Sequence, residues 1–102
     1  LQNAYVAPRF EMEQLVANIW QEVFGIEPIG IHDNFYDLGG DSLIAIGIIS
    51  RLRELFEVAP DVRYLFEKPT VASIAGYIKK RLTVQNLTTL PNAKDKRTEG
   101  EL

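Results

Sequence analysis

The sequence predicts an all-α fold: a small bundle of three main helices plus one short helix, with a long loop between helices 1 and 2. Three observations carry this. Apolar residues recur at helical spacing in three separate segments. No segment alternates apolar and polar residues as a half-buried strand would. The chain has 102 residues, 46% of them hydrophobic and 25% charged, the size and balance of one globular domain.

The first helix is predicted from about Phe10 to Phe24. Leu15, Val16, Ile19, Trp20, Val23 and Phe24 form one apolar stripe, with Trp20 expected in the core. Glu11 and Glu13 lie in the first turn, where acids suit the helix dipole, and Gly25 is placed to end the helix. Residues 25–41 read as a long loop punctuated by Pro28, Gly30, Gly39 and Gly40. Ile26, Ile29, Ile31, Phe35, Tyr36 and Leu38 make it unusually apolar, so it should be pinned to the core. A loop of that length inside a small domain points to function.

The second helix is predicted from Asp41 or Ser42 to Phe56. Its apolar residues (Leu43, Ile44, Ala45, Ile46, Ile48, Ile49, Leu52, Leu55 and Phe56) wrap more than one face. Two explanations are open: a central helix covered on all sides, or a helix that leaves Ile44, Ile48 and their neighbours facing a partner. Gly47 costs about 1 kcal/mol relative to Ala in a helix interior, which suggests a close contact there. After Pro60, Asp61 to Phe66 reads as one or two helical turns capped by Asp61. Thr70 caps the last helix, whose apolar positions are Val71, Ile74, Ala75, Ile78 and Leu82, closed by Lys79, Lys80 and Arg81.

The predicted organisation is an N-terminal linker over 1–9, a folded domain over 10–82, and a C-terminal linker or disordered tail over 83–102. The chain starts with Leu1 rather than Met, which suggests a piece of a longer polypeptide or a processed chain. With no cysteine and one histidine, His32, neither a disulfide framework nor a metal site is expected. The net charge of −3 argues against nucleic acid. It is unevenly spread: residues 1–50 hold seven acids and one base, residues 51–102 seven acids and ten bases. No apolar run is long enough for a bilayer and no signal pattern opens the chain, so a cytoplasmic location is expected, without a membrane partner.

The chemistry gathers at Leu38-Gly39-Gly40-Asp41-Ser42-Leu43. A serine that opens a helix after two glycines sits where the N–H groups of the first turn favour an anion. Glycines there permit unusual dihedrals and the approach of a bulky group. By physics alone, Ser42 or Asp41 could equally be a simple N-cap.

The stretch Asp33-Asn34-Phe35-Tyr36-Asp37-Leu38-Gly39-Gly40-Asp41-Ser42-Leu43 resembles the attachment-site motif of the peptidyl carrier (thiolation) domains of nonribosomal peptide synthetases. Tyr5-Val6-Ala7-Pro8-Arg9 is similar to the junction that follows an adenylation domain. Glu13 to Trp20 and Leu65-Phe66-Glu67-Lys68-Pro69-Thr70-Val71 match further family segments, so the resemblance covers about residues 5 to 82. It implies 4'-phosphopantetheine, taken from coenzyme A by a phosphopantetheinyl transferase and attached to Ser42, with Gly39, Gly40, Asp41 and Leu43 flanking it. It implies a non-catalytic domain, monomeric in isolation, that carries aminoacyl or peptidyl thioesters between adenylation, condensation and release or tailoring domains. The partner surface expected from it consists of Leu43, Ile44, Ile46, Ile48, Tyr64 and Leu65, with Phe66 in the core. Two departures bear on partner choice. Asp41 stands where many peptidyl carriers have His, as in carriers beside epimerisation domains and in acyl carriers. Pro60-Asp61-Val62 replaces the usual Leu-Pro-Leu.

Three rival readings remain. An acyl carrier of a polyketide or hybrid synthase would share the fold and the arm. A plain helical interaction module would carry no modification. Gly40-Asp41-Ser42-Leu43 also spells the motif of the GDSL esterases, but that chemistry needs a histidine base. No histidine follows Ser42, and the chain is short for such an enzyme.

Overall fold

The computed structural model describes residues 4–89. Among them are four helices and no strand: α1 (Glu11–Phe24), α2 (Ser42–Phe56), α3 (Val62–Glu67) and α4 (Val71–Thr89). α1 packs on both α2 and α4, and α3 packs on α2. Their common core holds Val16, Ile19 and Trp20 of α1, Ala45, Ile48 and Leu52 of α2, Leu65 of α3, and Val71, Ile74 and Ile78 of α4.

The helix ends follow local chemistry. Gly25 ends α1 in the left-handed region at φ 72°, and its N–H bonds the Gln21 carbonyl. Asp41 caps α2 by accepting from the Ile44 N–H at 3.0 Å. Asp61 caps α3 in the same way through the Tyr64 N–H at 3.0 Å. Thr70 Oγ1 accepts from the Ser73 N–H at 3.2 Å and starts α4.

The described structure differs from the sequence expectation in several places. α4 continues to Thr89, past the Leu82 at which the apolar periodicity stops. Periodicity marks only the part of a helix that packs, and beyond Leu82 the side chains of Thr83 and Val84 are exposed. Of the tail expected over 83–102, residues 83–89 belong to α4, and 90–102 lie outside the described residues. Tyr5 to Arg9, read as linker, lie against the body of the domain: the Ile31 N–H donates to the Val6 carbonyl at 2.9 Å. The loop over 25–41 buries Ile29, Ile31 and Phe35 but leaves Ile26 and Tyr36 exposed. It is tied to the α3–α4 connection by Phe35 N–H to Pro69 carbonyl (2.8 Å) and to the first turn of α4 by Ala72 N–H to Ile31 carbonyl (3.0 Å). Gly47 is the close approach expected from its place in α2, because a Cβ there would lie 3.2 Å from Val23 Cγ1 of α1.

Candidate functional site

The loop reaches α2 over a cluster of aromatic rings. Phe35 is fully buried at its centre. Its ring lies 5.8 Å from Trp20 and 5.5 Å from Phe24, in edge-on arrangements, and 6.2 Å from Phe66. Tyr36 packs on Phe35 and stacks on Phe66, and its hydroxyl donates to the Phe66 carbonyl at 2.8 Å. Asn34 Oδ1 accepts from the Tyr36 N–H at 2.7 Å, which sets the turn that follows. The chain leading into Ser42 is therefore held from below by rings and from the side by α3.

The two glycines do different work. Gly39 has φ 94°, in the region that disfavours other residues, and a Cβ there would meet nothing within 4 Å. Gly40 sits on the Phe35 ring, where a Cβ would come within 2.4 Å of Cε2. The Gly40 N–H also bonds the Phe35 carbonyl at 2.9 Å. The close approach that requires the second glycine is thus to the protein's own Phe35, and open space lies over the first.

Ser42 is the first residue of α2 and is exposed. Asp41 is the N-cap, so the serine hydroxyl is not committed to capping. Helix geometry leaves the N–H groups of Ser42 and Leu43 without intrahelical partners, a setting that suits a phosphate on the serine oxygen. The sequence holds three serines. Ser50 lies within α2, and Ser73 accepts a hydrogen bond from Thr70 Oγ1 at 3.0 Å. The space over Gly39 and the exposure of Ser42 fit an attached arm.

Of the surface expected around Ser42, the structure exposes Leu43 (79%) and Ile46 (59%), and half-buries Ile44 and Tyr64. Ile48 and Leu65 are both fully buried and leave the partner surface. Ile48 falls on the buried side of α2, and Leu65 is the buried residue of α3. Phe66 packs against the core, as expected. Tyr36 and Phe66, whose contacts hold α3 to the loop, were not singled out as site residues; the tyrosine next to Phe35 was the available signal. The cavity of about 540 Å³ between α1 and α4, lined by Phe10, Met12, Leu15, Ala72, Gly76 and Lys79, contains none of the site residues. The site at Ser42 is a projecting one, suited to presenting a group rather than enclosing it.

At the N-terminal end of α1, Glu13 is nearly fully buried (4%). Hydrogen bonds from the Arg9 side chain hold its carboxyl below the ordinary range; burial opposes this, while the Arg9 backbone N–H and the charges of Arg9 and His32 add to it. The acid suited to the helix dipole in sequence is thus chiefly the partner of Arg9.

Residues 14–78 match the family described as Phosphopantetheine attachment site, and the chain belongs to that family. Within it, the likeness is to peptidyl carriers. The chain is 37% identical, at a TM-score of 0.67, to the solution structure of a peptidyl carrier described as a prototype for the carrier domains of modular peptide synthetases, covering 74% of this chain and 99% of that one. It is 36% identical, at a TM-score of 0.74, to a chain in the complex of the phosphopantetheine transferase Sfp with coenzyme A and a peptidyl carrier protein, covering 76% and 100%. Tyrocidine synthase 3 of Brevibacillus parabrevis is 52% identical over 74 residues, 72% of this chain. The chain spans 1% of that relative's length. It is a peptidyl carrier domain of the nonribosomal peptide synthetase type.

Proposed function

We infer that Ser42 is where a phosphopantetheinyl transferase attaches 4'-phosphopantetheine from coenzyme A. The observation that carries this is an exposed serine at the first position of α2, freed from capping by Asp41, beside the open space at Gly39. The arm supplies a thiol, absent from the cysteine-free chain, on which an aminoacyl or peptidyl group is held as a thioester. The protein's own residues orient and present. Phe35 and Gly40 fix the turn, the N–H groups of the first turn of α2 would hold the phosphate, and Leu43 and Ile46 offer a small apolar surface beside Ser42. Such a surface suits brief contacts with adenylation, condensation and release or tailoring domains, since a large interface would slow transfer. The chain catalyses no step itself and works in the cytoplasm.

Incubation with coenzyme A and a broad-specificity phosphopantetheinyl transferase tests the assignment by intact mass. The expected result is the gain of one phosphopantetheine, absent in Ser42→Ala. No gain in the unaltered chain overturns it. Subsequent loading with malonyl-type units and no amino acid would assign the arm to an acyl carrier instead.

A further inference from the structure

We propose that the Arg9–Glu13 pair is a fastener that makes Tyr5 to Arg9 part of the carrier body, so that the tether to a preceding domain starts upstream of Tyr5. This placement sets how Ser42 is presented to that domain. The inference about presentation rests on the carrier reading above; the fastening does not.

The geometry is specific. α1 has Phe10 at its N-cap, which makes no side-chain capping bond. Glu13, three residues on, holds the position from which an acid in a capping box reaches back to the N-cap N–H. Here it reaches one residue further. Glu13 Oε1 accepts from the Arg9 backbone N–H at 2.9 Å and from Nε at 3.2 Å, while Oε2 accepts from an Arg9 terminal nitrogen at 2.7 Å. A carboxylate covered in this way is costly unless its charge is met and its lone pairs are filled. One residue, Arg9, does both, with its backbone and its planar fork. The pair therefore clamps main chain as well as side chain.

A second anchor lies three residues upstream. The Val6 side chain packs on the core, and its carbonyl accepts from the Ile31 N–H at 2.9 Å. The backbone of Gly30 passes so close that a Cβ would lie 3.0 Å from the Val6 nitrogen and 3.1 Å from Tyr5 Cδ1. With anchors at residues 6 and 9, the segment cannot serve as slack. Ile31 belongs to the same loop that leads through Phe35 and Gly40 to Ser42. The fastened segment and the attachment loop thus share one scaffold.

Releasing Tyr5 to Arg9 would lengthen the tether by about 17 Å in extended form. Beyond the optimum span, effective concentration falls with tether length, so reach gained this way lowers the frequency of productive encounter. The positioning residues are Arg9 and Glu13.

Amide hydrogen exchange on the 102-residue chain tests the fastener without any arm. In Glu13→Gln and in Arg9→Ala, the Ile31 N–H should exchange faster by about tenfold, while Ile49 and Ile78 change by no more than about twofold. Arg9→Lys, which keeps the charge and loses the fork, should fall between. No acceleration at Ile31, or equal acceleration at all three amides, overturns the proposal. The presentation claim is tested on the phosphopantetheinylated chain with an adenylation domain, supplied either joined ahead of Leu1 or as a separate protein. Arg9→Ala should slow aminoacylation by about threefold when joined and leave it unchanged when separate. An equal effect in both formats, or none in either, overturns it. Absence of the arm on Ser42 would defeat the carrier reading and leave the exchange result standing.

Discussion

Ala45, Ile48, Ile49 and Leu52 on one side of α2 are as apolar as Leu43 and Ile46 on the other, but their surroundings differ. The first four are buried against neighbouring helices, and the last two stand in solvent. Leu43, Ile46 and Ser50 recur at the i, i+3, i+7 spacing of one exposed face, which begins beside Ser42. α1 shows no such division: its Val16, Ala17, Ile19 and Trp20 are all buried. Exposed apolar side chains occur elsewhere too, at Phe10 and at Val84 of α4, but Leu43 and Ile46 are the pair beside Ser42. The inner face of α2 holds the domain together. The outer face is apolar and exposed beside Ser42.

The sharpest way to break this comparison is to truncate one residue on each face. Ile48→Ala should cost about 2–5 kcal/mol in denaturant unfolding, because it leaves a cavity between α2 and its neighbours. Ile46→Ala should change stability by no more than about 0.5 kcal/mol. Its effect should instead appear as a higher KM for the phosphopantetheinyl transferase. Equal stability losses for the two would erase the distinction between the faces.

A smaller effect is expected where the loop meets the helix. Gly40→Ala drives a methyl group into the Phe35 ring and should cost about 1–3 kcal/mol. It should also slow modification of Ser42 by shifting the turn. Gly39→Ala makes a useful contrast, since its cost comes from the positive φ rather than from a clash. Asp41→Ala removes the cap of α2 and should cost about 1 kcal/mol in thermal unfolding, with Ser42 still modified.

The smallest effect concerns pH and the far end of the molecule. The Glu13 carboxyl is held below its ordinary value when folded. Its contribution to stability is present above the ordinary carboxylate range and is lost as pH falls through the lowered value. Glu13→Gln should flatten that acid limb of the stability curve. An unchanged acid limb would show that Glu13 is not held by Arg9 in solution.

Much of this was readable from residue patterns, for reasons that are local. Helix α1, the caps at Asp61 and Thr70, and the terminating Gly25 follow from spacing and from side-chain reach over three or four residues. Ser42 at the start of α2 follows from the two glycines before it. Ile48 and Leu65 were misassigned to the surface because a helix that is apolar on several sides does not announce which side is covered. The role of Gly40 was hidden because its partner, Phe35, is five residues back across a turn. Arg9 and Glu13 stood at i, i+4 spacing in plain view, but burial of the acid depends on what the loop lays over it.

The sequence by itself determined the helices, their ends apart from the C-terminal end of α4, the place of the serine and the lack of a thiol. These depend on periodicity, on capping and on which side chains exist. Tertiary structure alone decided which face of α2 is free, which ring demands the second glycine, and that the Val6 carbonyl meets the Ile31 amide. Each of these depends on which distant groups share a volume: α1 and α3 over α2, Phe35 under Gly40, and the Ile31 amide against Val6. Packing of that kind is a property of the assembled chain, and no short segment encodes it.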